Sequence, residues 1–135
     1  MQKDYITTFS HNRIFQNINQ QSSSQHKIFS KLFIIIYKKY DDVMNSLPEL
    51  YSDFYSSDKL IIAIKATKKS FKTAVSRNKI RRRIKAVMYS IVKSNKYNTR
   101  SGFMIIVPKS VCSTTKYIDI ESGLTWNMKK LDKLT

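Results

Sequence analysis

One stretch limits the architecture more than any other: a long helix-periodic segment set between two β-branched runs. From Ala74 to Ser94, the residues Ile80, Ile84, Val87, Met88, Ile91 and Val92 recur at i, i+4, i+7, i+8 spacing. That is the apolar stripe of an amphipathic helix. Before it, Leu60-Ile61-Ile62-Ala63-Ile64 reads as a buried strand. After it, Phe103-Met104-Ile105-Ile106-Val107 reads as another, led in by Gly102 and stopped by Pro108. The helix therefore has to bury its stripe against a sheet containing those strands. Upstream, Ile28 to Tyr37 is rich in β-formers and breaks around Ser30-Lys31 into one or two short strands. There Phe33, Ile35 and Tyr37 share one face, and Leu32, Ile34 and Ile36 the other. A short helix is expected from Ser10, its cap, to about Asn19, with Ile14, Phe15 and Ile18 inward. A last helix is expected from Thr115 to Leu131, with Ile118, Leu124, Met128 and Leu131 among its apolar positions and Gly123 weakening it; Trp126 is expected to anchor it, with stacking on RNA as the other reading. The order helix, strands, helix, strand, helix gives an α+β domain with helices on one face of a small sheet. Residues 1–135 are read as a single domain, with 1–9 a loose arm and 41–58 an acidic connecting segment.

The central helix carries Arg77, Asn78, Lys79, Arg81, Arg82, Arg83 and Lys85 within about two and a half turns, with Arg77, Arg81 and Lys85 on successive turns of one side and Asn78 and Arg82 next to it. The formal net charge is +16. Residues 59–118 hold sixteen Lys and Arg and no Asp or Glu, while the rest of the chain carries nine of each sign and sums to zero. An ordinary solvated helix face intersperses acids with bases. A face without acids repels itself, and a polyanion lying between the charges relieves that repulsion. Nucleic acid is the expected partner. Arginine forks pair with phosphates, and Asn78 can reach sugars or base edges.

Several chemistries are set aside. With one cysteine, Cys112, there is neither an intrachain disulfide nor a cysteine-rich zinc site. The only glycines are Gly102 and Gly123, so no glycine-rich phosphate loop exists. His11 and His26 are isolated, and the basic block has no carboxylate for a two-metal nuclease site. The acids Asp41, Asp42, Glu49, Asp53 and Asp58 are spaced irregularly and match no calcium loop. No apolar run approaches the ~20 residues that span a bilayer, and the start of the chain is polar, which points to a cytoplasmic protein.

The stretch Ala74-Val75-Ser76-Arg77-Asn78-Lys79-Ile80-Arg81-Arg82-Arg83-Ile84-Lys85 resembles the signature of the bacterial ribonuclease P protein component. In that family an Ala-Val pair and one variable residue precede Arg-Asn-Arg-Ile-Lys-Arg at the start of a long helix. The Lys68-Lys69 turn before the motif, the strand after the helix and the closing helix fit the same pattern, over roughly residues 10–131. Departures are Lys72 or Thr73 where a glycine is usual, Lys79 for arginine, Asn19 where an aromatic often recurs, and a longer acidic segment.

The resemblance implies a two-layer sandwich of the ribosomal protein S5 domain 2-like type: a small mixed sheet, three helices and a left-handed βαβ crossover. It implies a non-catalytic subunit of an endoribonuclease that removes the 5′ leader of precursor tRNA. Its partners would be ribonuclease P RNA and precursor tRNA; neither a membrane nor a protein partner is implied. The protein alone would bind no cofactor; magnesium would belong to the RNA of the holoenzyme. Arg77, Asn78, Lys79, Arg81, Arg82 and Lys85 would contact RNA. Phe15, Lys68 and Lys69 would face the leader, with Phe33 or Tyr37 as a second aromatic. The alternative is a ribosomal protein binding rRNA, which would not prefer precursor over mature tRNA.

Overall fold

The computed structural model describes residues 6–45, 47, 55–94 and 101–134. The elements run β1 (Ile6–Thr8), α1 (Asn12–Asn19), β2 (His26–Phe29), β3 (Phe33–Lys38), α2 (Tyr40–Met44), β4 (Leu60–Ile64), α3 (Ala74–Lys93), β5 (Gly102–Pro108) and α4 (Tyr117–Leu134). A 3-10 turn, Ser110–Ser113, links β5 to α4. The strands form one mixed sheet in the order β1-β4-β5-β3-β2. Strand β4 is parallel to both β1 and β5. Strand β3 is antiparallel to β5 and to β2. The unit β4-α3-β5 is a βαβ crossover between parallel strands, and the α+β class with a mixed sheet holds.

The helices do not all lie on one face. Helices α3 and α4 bury Ile80, Ile84, Val87, Met88, Ile120, Leu124, Met128 and Leu131 against Phe33, Ile35, Tyr37, Leu60, Ile62, Met104 and Ile106. Ile14 and Ile18 of α1 and Val43 of α2 pack on the opposite face, against Ile36, Ile61, Ala63, Phe103 and Ile105. Period-2 alternation made both faces of the central strands apolar, and a sheet apolar on both sides needs cover on both.

The arm expected at 1–9 is partly structured. Ile6–Thr8 form the edge strand β1, in register with Leu60–Ile62. The Phe9 N–H donates to the Ile62 carbonyl at 3.1 Å, extending that ladder, and the Phe9 ring is buried. Because the chain stays extended through this point, Ser10 does not cap α1. His11 holds the N-cap position, with no side-chain bond to the helix. The far end of α1 is tied from the sheet. Buried Lys38 donates its Nζ to the Asn17 carbonyl at 2.7 Å, placing a cation on the carbonyl-rich terminus where it is favourable. Part of the acidic connection is helical: α2 starts with Asp41 and Asp42 in its first turn, where negative charge suits the helix dipole. Residues 46 and 48–54 of that segment lie outside the described residues.

Two glycines fix close approaches. Gly102 has φ +110°, and a Cβ there would stand 2.6 Å from the Tyr37 hydroxyl. That hydroxyl donates to the Ser101 carbonyl at 2.6 Å. Gly123 does not break α4. It lets the helix settle on the β2–β3 turn, where Leu32 packs with the α4 side rather than the face expected for it.

Candidate RNA interface

The Arg-Asn helix is started by a residue that the charge pattern did not single out. Thr73 is the N-cap of α3; its Oγ1 accepts from the Ser76 N–H at 3.1 Å. The Ser76 hydroxyl donates back to the Thr73 carbonyl at 2.8 Å. Such a cap is worth about 1 kcal/mol and sets where the helix begins. Just before it, exposed Lys68 and Lys69 stand on a turn held by buried Phe71, whose N–H donates to the Thr67 carbonyl at 2.8 Å.

With about 100° between residues, Asn78, Arg81, Arg82 and Lys85 fall on one side of α3. All four are exposed. The Arg81 Nη1 donates to Asn78 Oδ1 at 3.2 Å, so the amide orients the guanidinium. Arg77 and Lys79 stand apart from this stripe. Arg77 is half-buried and turns back to donate to the Phe71 carbonyl at 2.9 Å, bracing the Lys68-Lys69 turn. Lys79 is exposed about a quarter-turn away from the stripe.

At the β1–β4 edge of the sheet, α1 and α3 meet around a groove of about 400 Å³. Its floor is apolar: Phe9, Phe15, Ala63 and Ile64. Its rim is Arg81, Arg82 and Lys85. The ring of Phe15 is half-buried, its centroid 4.9 Å from that of Phe9. Phe9 in turn meets Phe103 edge-on at 5.7 Å. Behind them Tyr40 stacks on Phe103 at 5.8 Å, so the floor is backed by an aromatic cluster. Two shallower recesses continue the basic stripe. Val75, Asn78, Arg81 and Arg82 line one, and Ile6, Arg82, Lys85, Ala86, Tyr89 and Ser90 line the other.

The two other expected aromatics are not in this groove. Phe33 and Tyr37 are buried on the α4 face of the sheet, away from Phe15. The strand alternates as expected, but its aromatic face is the one that α4 covers. The residues of β3 facing α1 are Ile34, Ile36 and Lys38. Burial pushes the Tyr37 hydroxyl up to about 12, with Asp132 and Asp42 adding to the shift. Tyr37 is thus a neutral core group. Lys68 and Lys69 also stay off the groove lining.

Three residues went unnoticed in the sequence. Phe9 was hidden in the supposed arm, although Ile6-Thr7-Thr8-Phe9 has the β-branched character of a strand. Phe29 is 61% exposed and pairs with Ile34, which places it on the α1 side of the sheet; Lys27 Nζ lies 5.2 Å from its ring centre. Tyr89 extends the basic stripe by one turn. Among the described residues no group of three or more His, Cys, Asp or Glu comes together. Among the described residues no helix is long and apolar enough to cross a membrane.

The family model described as ribonuclease P matches residues 7–132. The ribonuclease P protein component of Rickettsia bellii is 31% identical over 84% of this chain and 83% of its own length. That of Rickettsia rickettsii is 29% identical over 93% of this chain and 94% of its own. In fold, the chain is similar to the RNase P protein of Staphylococcus aureus, with a TM-score of 0.65 and 20% identity, covering 96% of this chain and 95% of that one. It is similar also to that of Thermotoga maritima, with a TM-score of 0.65 and 14% identity, covering 91% and 96%. The chain therefore belongs to the ribonuclease P protein family, an RNA-binding family of tRNA processing.

Proposed function

We propose that this chain serves as the protein subunit of a cytoplasmic ribonuclease P, docking on the catalytic RNA and holding the 5′ leader of precursor tRNA. The observation that carries the reading is the groove, in which an aromatic floor and a rim of three cations share one site. Single-stranded RNA needs both: faces for its bases to stack on and positive charge along its backbone. Phe15 supplies the open face, backed by Phe9. Arg81, Arg82 and Lys85 supply the charge, and Asn78 steers Arg81. The outer side of the same stripe, continuing to Tyr89, is left for packed phosphates of the catalytic RNA.

In this reading the protein makes and breaks no bond. The groove side chains with charge are cations, which do not ligate a metal, so the magnesium of the reaction belongs to the RNA. The protein lowers the repulsion between RNA phosphates and holds the leader so that the scissile bond lies in register with the RNA's site. Arg77 and Lys79 fill different roles: Arg77 braces the turn that presents Lys68 and Lys69, and Lys79 adds charge on the flank.

The test is reconstitution. The protein is combined with a bacterial ribonuclease P RNA at low magnesium, and cleavage of a precursor tRNA is followed with each component alone as control. Cleavage at the mature 5′ end by the mixture alone is expected. No gain over RNA alone would remove the proposal and favour binding to another structured RNA, such as rRNA.

A further inference from the structure

At the opposite edge of the sheet from the groove, α4 and the β2–β3 turn enclose a separate recess of about 430 Å³. Its walls are Ser30, Lys31 and Leu32 from the turn and Ser122, Gly123 and Trp126 from the helix. It exists because Gly123 has no side chain. A Cβ there would meet Leu32 Cδ1 at 3.2 Å and Phe33 Cε2 at 3.3 Å, so α4 comes down on the turn at that point. The turn is locked from three sides. The Ser30 hydroxyl donates to the Phe33 carbonyl at 3.0 Å, Asn127 Nδ2 donates to the Ser30 Oγ at 3.3 Å, and Lys109 Nζ donates to the Ser30 carbonyl at 2.5 Å. The recess is thus preformed.

Trp126 was expected to anchor α4. The anchoring falls instead to Ile120, Leu124, Met128 and Leu131, while Trp126 stays 50% exposed. Half an indole left in water gives up much of the burial that makes the residue stabilising, so packing does not account for it. Lys130 Nζ sits 4.9 Å from the ring centre, and exposed Lys31 rises from the other wall. Among the described residues no carboxylate lines the recess.

We propose that this recess binds an unpaired nucleobase of single-stranded RNA, stacked on Trp126, with its flanking phosphates on Lys31 and Lys130. A planar apolar group tethered to anions is the ligand that an open indole with a cationic rim fits. An apolar peptide would leave the two lysines without a role, and the net charge of +16 draws in RNA before most peptides. The site is separate from the Phe15 groove and does not depend on that groove holding a leader.

Trp126 is the only tryptophan of the chain, so its emission reports on this recess alone. The full-length protein is titrated with a short single-stranded oligoadenylate while indole fluorescence is followed. Saturable quenching is expected. In Lys31→Ala/Lys130→Ala its midpoint should rise by about 5-fold or more, since two phosphate contacts are removed. The thermal midpoint should not move, because both lysines are exposed. Phe15→Ala should leave the quenching curve in place while reducing precursor cleavage, which separates this site from the leader groove. The proposal is overturned if a labelled oligoadenylate binds by anisotropy without altering indole emission. It is equally overturned if the lysine variant quenches like the wild type, or if an acidic aromatic peptide quenches and oligoadenylate does not.

Discussion

The two faces of the sheet are covered differently. On one face the helices are long: α3 has 20 residues and α4 has 18, and the core beneath them is mostly aliphatic. On the other the helices are short, 8 residues in α1 and 5 in α2, and the core is rich in aromatics: Phe9, Tyr55 and Phe103 inside, with Phe15 and Tyr40 packed on them. Two long helices seal a sheet; two short ones leave an open end. The open end is where Phe15 meets Arg81, Arg82 and Lys85. The sealed face holds the larger core and the open one the groove proposed to hold RNA, with α3 belonging to both: its stripe is core and its outer side is the rim.

The largest expected effect tests that division directly. Ile84→Ala, at a fully buried position under α3, should cost about 2 to 5 kcal/mol in urea unfolding. Phe15→Ala, half-buried on the other face, should cost only about 1 kcal/mol. It should nevertheless weaken the preference for precursor over mature tRNA by about 5-fold to 100-fold, the worth of one stacked base. Equal stability losses with no change in tRNA preference would break the comparison.

A smaller effect sharpens it along α3. Arg81→Ala and Arg82→Ala should each flatten the dependence of log affinity on log salt by about 0.7 to 0.9, one phosphate apiece. Stability should hardly change, because both side chains are exposed. Arg77→Ala should do the reverse. It should lower stability by about 1 kcal/mol through the lost bond to Phe71 and alter the slope less. A full unit of slope lost on removing Arg77 would return that residue to the RNA surface.

The smallest effect concerns the sealed face at alkaline pH. The Tyr37 hydroxyl is pushed up from 10.0 to about 12, chiefly by burial. Its proton is held more tightly in the folded chain than in the unfolded one. The resulting stability is complete below pH 10 and is lost as pH rises toward 12. Tyr37→Phe should remove that part of the alkaline slope in a denaturation series from pH 9 to 12. If the slope survives, the hydroxyl is not sealed.

Much of this was legible in the chain. The period of Ile80, Ile84, Val87, Met88, Ile91 and Val92 fixed the inner side of α3 and, by subtraction, its exposed cationic side, because an isolated helix already has two sides. The strands on either side were equally clear, and so was the alternation of Phe33, Ile35 and Tyr37. What alternation cannot say is which partner covers which face. Phe33 and Tyr37 were placed by their register with β5 and by the descent of α4 at Gly123, both of them long-range contacts. The strand Ile6–Thr8 and Phe9 after it were missed for a related reason: a three-residue strand is too short to show a period, and it forms by pairing with the edge of β4.

The sequence by itself determined the charge-segregated helix, the strands that flank it and the family. Those depend on local spacing and on side-chain chemistry, which travel with the chain whatever its fold. Only the tertiary structure decided that Phe9 floors the groove and that Arg77 bonds back to the Phe71 carbonyl. It decided also that Trp126 stands open while Phe33 and Tyr37 are sealed. Each of these is a choice between burial and exposure, and burial is set by which distant elements come into contact.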